Sequence, residues 1–474
     1  LTYSQLIVLV TGSMTASKLP VPGEELGLFT DLYELTMSQA FFQQGMSATA
    51  TFSLFTRTYP PNRAFFISAG LEDVLEYLGN LNFSGHAIDY LRATGIFSDD
   101  FLKYLSTIKF TGNVRAIPEG RLYFTDEPAV EITAPLIEAQ LAETFIINQV
   151  NLQSMLATKA ARCVWAAQGR GIADFASRRT QGTDAALKMA RASYMAGFSS
   201  TSNVLAASLY GMPPAGTMAH SFVTSFPSEL QAFRAYVMSF PNRTILLLDT
   251  YDTIAGTWNA VQVAKEMETE GRQLMAVRLD SGDFDKLSRQ VRKILDDSGL
   301  DYVKILASGG LDEYELEILV NNGAPIDLFG VGTKAGVSAD APWSDMAYKL
   351  VSFDNRPVMK LSTDKVSLPG AKQIYRTRDA DGMFSKDIIA LHDEELPGGV
   401  PLLEEVMIDG ERRGAPATLE EARARFEEDF SLLDDKFKAL NNPPRYPVSI
   451  SGNLERLSSR VREEALGTNV SSSD

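Results

Sequence analysis

Between residues 160 and 350 the chain repeats one pattern: a short apolar run, a polar or glycine-rich break, then a longer stretch with apolar residues at helical spacing. The breaks fall at Gly169, Ser199, Met218, Asp249, Asp280, Ala307 and Gly330, separated by 19 to 31 residues. That recurrence matches a βα unit and predicts a parallel barrel or an open parallel sheet. The clearest runs, Thr244 to Leu248, Leu274 to Leu279, Val303 to Ala307 and Ile326 to Phe329, lack alternation, as strands covered on both faces do.

Either side of this region the pattern differs. Thr30-Asp31 followed by Leu32, Leu35, Met37, Ala40 and Phe41 predicts a capped helix. Strand-like runs at 48–56, 65–70, 112–117 and 130–135, with a helix over 71–78, predict an N-terminal α+β domain over 28–145. A long helix over Leu136 to Met155 leads into an α/β domain over 146–350. Alternation in Met346 to Phe353 and Val358 to Leu361 then predicts return strands, an acidic amphipathic helix and a terminal helix from about Ser449, grouped as a smaller region over 351–474.

Composition narrows the class. The chain has 474 residues, 45% hydrophobic and 22% charged, and a net charge of -16. That charge opposes a general nucleic-acid or anionic-membrane surface, while leaving room for an anionic small molecule held by a local Arg/Lys cluster. The one cysteine, Cys163, excludes an intrachain disulfide and a multi-cysteine metal site; its run reads as a strand, with the thiol as core filler. Leu6 to Val10 is apolar but short and lacks a basic leader, so no export signal is expected and a cytoplasmic location is.

In a βα repeat the polar ends of the strands converge. Asp249, Arg278, Asp280 and Asp283 therefore become candidates for one site that combines a cation with carboxylates, suited to a phosphorylated sugar and Mg²⁺. The plainer reading has Asp249 and Asp283 capping helices. Ser308-Gly309-Gly310 and Gly330-Val331-Gly332-Thr333 end two late strands with glycines that let backbone N–H groups approach phosphate. His220, in Gly216-Thr217-Met218-Ala219-His220-Ser221, could be a base, a buried imidazole satisfied by Thr217 and Ser221, or a phosphate-accepting nucleophile, with Glu229 or Asp249 as orienting carboxylate. A lone histidine makes no convincing metal site. Phe175-Ala176-Ser177-Arg178-Arg179 offers an aromatic face beside two guanidiniums, suited to an aromatic carboxylate. His86 and His392 read as surface residues.

These motifs, in this order, resemble the nicotinate phosphoribosyltransferases of the dimeric type II phosphoribosyltransferase family. The resemblance runs over about residues 28 to 376, from Thr30-Asp31-Leu32-Tyr33 through the Phe175, His220, Arg278-Leu279-Asp280-Ser281-Gly282-Asp283 and glycine motifs to Lys360-Leu361-Ser362 and Pro369-Gly370-Ala371-Lys372. It implies an irregular (β/α) barrel and transfer of 5-phosphoribosyl from phosphoribosyl pyrophosphate to nicotinate, with Mg²⁺ as cofactor. It also implies ATP as co-substrate through a phosphohistidine at His220. By the same resemblance, Phe175 and a neighbouring subunit's Tyr33 sandwich the pyridine, Arg278 and the Arg178 region meet negative groups, and Asp280 contacts ribose. Gly309, Gly310, Gly330 and Gly332, with Ser308 and Thr333, take the 5′-phosphate. Thr217, Ser200 and Asp249 join as substrate contacts, and Lys360 reaches phosphate from the partner of a homodimer. Asp280 and Asp283 are the expected metal contacts.

Related nicotinamide enzymes carry an aspartate in the loop corresponding to 197–203; this chain has hydroxyls there, which favours nicotinate. Nicotinamide transfer and a catalytically silent nucleotide-binding regulator are the competing readings, and a quinolinate enzyme a weaker one.

Overall fold

The computed structural model describes residues 23–362 and 367–470. At its centre lies a wholly parallel six-stranded sheet in the order Ser200–Thr201, Gly171–Asp174, Leu328–Val331, Lys304–Ser308, Ala276–Leu279, Ile245–Leu247. Followed around a circle, this is the order of the chain, because the last strand pairs with the first. Cyclic order of this kind belongs to a barrel rather than to an open doubly wound sheet. The circle has one seam, between Ser200–Thr201 and Ile245–Leu247. There the Thr201 N–H donates to the Pro213 carbonyl at 3.1 Å and the Ala215 N–H to the Thr201 carbonyl at 2.8 Å. Pro213 and Pro214 have no N–H, so this segment cannot carry a ladder across to Ile245. The barrel is irregular for that reason.

Strand cores are buried on both faces: Leu246, Leu247, Val277, Leu279, Ile305, Ala307 and Val331 are inaccessible to solvent. This explains the missing alternation. The helices Thr253–Thr269, Phe284–Asp297 and Glu313–Asn321 that follow three of these strands are each capped by aspartate, through Asp252 to Ala255 N, Asp283 to Lys286 N and Asp312 to Tyr314 N. The carboxylates at the strand ends thus divide into two sets. Asp252, Asp283 and Asp312 hold helix starts, whereas Asp249 and Asp280 do not.

A seven-stranded antiparallel sheet forms a second layer, in the order Arg356–Pro357, Met346–Phe353, Thr49–Thr56, Pro128–Pro135, Asn113–Ala116, Glu404–Ile408, Glu411–Arg412. It draws strands from early and late parts of the chain, so the ranges 28–145, 146–350 and 351–474 do not each own a sheet. A four-stranded sheet, Val400–Pro401, Lys372–Arg378, Phe384–Leu391 and Val448–Ile450, completes the C-terminal part before the helix Gly452–Val470.

The layers are joined by helix Glu143–Ala167, preceded by the short helix Leu136–Leu141. Cys163 lies in the long helix, not in a strand. Ala157, Ala160, Ala161, Cys163, Ala166 and Ala167 are all buried, and a helix covered on every side loses its amphipathic period. Gly169 accordingly follows a helix, and the strand begins at Gly171. Among the described residues no helix is long and apolar enough to cross a membrane.

Candidate active site

Arg278, on the strand Ala276–Leu279, gathers the C-terminal ends of the barrel strands. Its Nε donates to Ser308 Oγ at 2.8 Å, one terminal nitrogen to Thr217 Oγ1 at 2.9 Å and the Met218 carbonyl at 3.1 Å, and the other to Asp280 Oδ1 at 2.7 Å. Ser308 also donates to Asp280 Oδ1 at 2.6 Å. Burial raises the Asp280 carboxyl, but the hydrogen bonds from Arg278 and Ser308 and the guanidinium charge outweigh it and hold the group below its ordinary range. Asp280 therefore stays ionised.

His220 opens the short helix His220–Thr224, just beyond the seam. Its Nδ1 lies 3.2 Å from Thr250 Oγ1 and its Nε2 is 3.7 Å from Asp280 Oδ2; the side chain is 46% exposed. Exposure at the mouth sets aside the buried structural histidine. The expected partners are corrected as well: Thr217 serves Arg278 instead, Glu229 accepts from Asn259, and Asp249 accepts from the Asp280 N–H and the Ser281 hydroxyl. Neither Glu229 nor Asp249 is hydrogen-bonded to the imidazole. The other oxygen of Asp249 is buried without a hydrogen-bond partner among the described residues.

Phe175 follows the strand Gly171–Asp174, and its N–H donates to the Val331 carbonyl at 2.8 Å. The Arg278 guanidinium carbon lies 5.6 Å from the centre of its ring. Gly330 makes this possible, because a β-carbon there would stand 2.4 Å from the ring. The bare face of Gly330 therefore seats the aromatic side chain. Gly309, at φ +99°, presses the turn after Ser308 against Asp280: a β-carbon would lie 2.0 Å from the Asp280 carbonyl oxygen. Beside this turn Gly309, Gly310, Gly282 and Asp283 line a cavity of about 530 Å³.

Thr333 begins the short helix after Gly332, and Ser200 begins the strand Ser200–Thr201, opposite Ala173. Arg178 is exposed on the turn Ser177–Arg179. Two expected residues lie apart. Tyr33 sits in a cleft of the N-terminal layer with Asp31, Glu143 and Asn151, and among the described residues no ring contact joins it to Phe175. Lys360 is exposed in the loop after Arg356–Pro357, where its N–H donates to Ser367 Oγ. Asp283 spends one oxygen on its helix cap. His86, beside Glu25, and His392, with Nδ1 against Arg115, are both exposed, as expected.

Sequence reasoning missed two members of this neighbourhood. Thr250 sits next to Asp249 and was hidden by it. Asp174, 1% exposed, accepts from the Ala176 N–H and from Thr201 Oγ1. Its buried polar side chain immediately before Phe175 was the available signal.

No group of three or more His, Cys, Asp or Glu side chains that could hold a metal occurs among the described residues. Asp280 and the unpartnered oxygen of Asp249 suit a hard cation that brings most of its own oxygen ligands, such as Mg²⁺ on a diphosphate. They do not form a cage for one.

Comparison with known proteins agrees with this geometry. Three models match: the nicotinate phosphoribosyltransferase N-terminal domain over residues 28–151, the nicotinate phosphoribosyltransferase family over 171–367, and the nicotinate phosphoribosyltransferase C-terminal domain over 398–458. A nicotinate phosphoribosyltransferase of Mycobacterium tuberculosis is 48% identical, covering 94% of this chain and 96% of its own. One of Bacillus subtilis is 35% identical over 93% and 98%. The crystal structure of human nicotinic acid phosphoribosyltransferase superposes with a TM-score of 0.83 at 29% identity, covering 91% of this chain and 99% of that one. A nicotinate-nucleotide pyrophosphorylase from Pyrococcus furiosus superposes with a TM-score of 0.72 at 25% identity, over 88% and 98%.

Proposed function

The chain belongs to the nicotinate phosphoribosyltransferase family, and from that premise we propose that it transfers 5-phosphoribosyl from phosphoribosyl pyrophosphate to the ring nitrogen of nicotinate. The products are nicotinate mononucleotide and pyrophosphate, the first step of NAD salvage from nicotinate. The observation that carries this reading is the Arg278 cluster, which brings an aromatic platform, a fixed carboxylate and the His220 segment to one strand-end surface.

Nicotinate's ring nitrogen carries a lone pair and needs positioning rather than deprotonation. The ring of Phe175 stacks on the pyridine, and Arg278 faces its carboxylate from beside that ring. As the bond from C1′ to pyrophosphate breaks, C1′ gains positive character, and Asp280, kept ionised by Arg278 and Ser308, stabilises the ribosyl side. Backbone N–H groups of the turns at 309–310 and 332–333 hold the 5′-phosphate, while Gly330, within its strand, seats the Phe175 ring. Asp280 and the unpartnered oxygen of Asp249 would hold Mg²⁺ together with the diphosphate, and the ion would supply neutralisation of the leaving group's charge. Asp283 is the weaker contact because its cap already occupies it.

ATP is the second substrate in this proposal. The His220 imidazole takes the terminal phosphoryl group as ADP leaves, and water later removes it. A phosphoryl group there puts new negative charge at the mouth, 3.7 Å from Asp280 before reaction, and alters how the site holds diphosphate. We assign the working unit as a cytoplasmic homodimer, in which Tyr33 and Lys360, neither joined to Phe175 by a contact among the described residues, complete the partner's site.

The test is product analysis with phosphoribosyl pyrophosphate, Mg²⁺, ATP and either nicotinate or nicotinamide. Nicotinate mononucleotide and pyrophosphate are expected. A folded, substrate-binding protein that makes no product would sink the enzyme reading in favour of a silent regulator, and preference for nicotinamide would overturn the assigned pyridine.

A further inference from the structure

Asp174 is a buried acid that the proposed chemistry does not use. It ends the first barrel strand, directly before Phe175, with 1% of its surface exposed. Among the described residues its carboxyl meets no cation; burial raises its proton affinity, countered by two neutral donors. One is the Ala176 N–H at 2.8 Å, the other Thr201 Oγ1 at 2.7 Å. The main chain repeats the link, since the Ser202 N–H donates to the Asp174 carbonyl at 2.8 Å.

Each oxygen thus reaches a different part of the pyridine side of the site. The Ala176 bond closes a turn with Phe175 at its centre and sets the backbone from which that ring projects over Gly330. The Thr201 bond reaches the neighbouring strand, and Thr201 Oγ1 in turn accepts the Asn203 N–H at 3.0 Å, where Asn203 caps the helix Val204–Tyr210. Residues 200 to 203 are the hydroxyl-bearing loop that faces the substituent of the pyridine if nicotinate is the substrate. An uncompensated carboxyl is an expensive way to fill this place, and a methyl or a hydroxyl could not span both contacts.

Resting on the nicotinate reading above, we infer that Asp174 is the positioning residue that fixes the spacing between the Phe175 ring and the Ser200–Asn203 loop, and that this spacing sets affinity for the pyridine and selection among pyridines. Asp174 touches no reacting atom. Its influence passes through Phe175 on one oxygen and through Thr201 on the other.

Three variants separate this role from general support of the fold. Asp174→Ala removes both contacts, Thr201→Val removes the Asp174–Thr201 contact, together with the acceptor for the Asn203 N–H, without changing side-chain shape, and Asp174→Asn keeps an acceptor for Ala176 and offers Thr201 a donor. For full-length enzyme, Asp174→Ala and Thr201→Val are each expected to raise KM for nicotinate by about tenfold, the effect of one buried hydrogen bond. KM for phosphoribosyl pyrophosphate should move less than about twofold, with Asp174→Asn close to wild type. Calorimetric titration with nicotinate alone should show the same loss of affinity without turnover. Equal weakening of both substrates, or unaltered nicotinate affinity in folded Asp174→Ala and Thr201→Val, would overturn the assignment, as would loss in Asp174→Asn as large as in Asp174→Ala. Failure of the wild-type enzyme to bind or turn over nicotinate would instead count against the functional reading, which the wild-type control measures separately.

Discussion

Nε2 of His220 stands 3.7 Å from Oδ2 of Asp280, while the other oxygen of that carboxyl is held by Arg278 and Ser308. The imidazole therefore faces an acid that cannot swing away without breaking two hydrogen bonds. This couples the ATP-dependent and ribosyl-transfer halves of the proposed reaction through a single side chain.

His220→Ala should abolish incorporation of acid-labile phosphate from labelled ATP. Because the ring is nearly half exposed and makes one hydrogen bond, to Thr250, the fold should lose no more than about 0.5 kcal/mol, measured by urea unfolding. Continued labelling of the variant would move the phosphoryl acceptor elsewhere.

Arg278→Lys keeps the charge but loses the fork that serves Ser308, Thr217, Met218 and Asp280 together. A fall in kcat/KM of at least about 100-fold, or roughly 2.7 kcal/mol, is expected from steady-state kinetics. A loss under threefold would show that charge alone suffices.

Gly330→Ala places a methyl group where the Phe175 ring now lies, so the ring must shift. Nicotinate KM should rise about tenfold, as in Phe175→Ala, with a smaller effect on phosphoribosyl pyrophosphate. Were the phosphate substrate alone affected, Gly330 would act as a phosphate cradle rather than as a seat for the ring.

The Asp280 carboxyl is depressed in the folded protein, so its contribution to stability is fully present above its unfolded pKa, near the ordinary 3.8, and is lost as pH falls through the lower folded value. The stability gap between wild type and Asp280→Asn should therefore be constant at neutral pH and shrink on acidification below that range. Urea unfolding across the acid limb measures it, and a gap that does not change with pH would contradict a depressed carboxyl.

The barrel was readable because four of its six strands are local apolar runs with a polar end, whereas Gly171–Asp174 and Ser200–Thr201 are too short and polar to stand out. Local signals also brought out Arg278, Asp280, His220 and Phe175. What escaped depends on side-chain direction or on distant pairing. Asp249 and Asp252 are three residues apart, yet one faces the site and the other caps a helix. The helical setting of Cys163 was masked by burial on all sides, and the pairing of Thr49–Thr56 with Met346–Phe353 joins segments nearly 300 residues apart, which no local pattern encodes. Asp174 was overshadowed by the aromatic residue it precedes.

Five strand-to-strand joints hold the barrel, and the sixth is absent between Thr201 and Ile245. The stretch of chain spanning the gap runs from the paired prolines to His220. The imidazole thus stands on the one part of the wall that a single side chain, Arg278, ties to the strands in place of a ladder, so that residue closes the ring at the seam as well as serving the site.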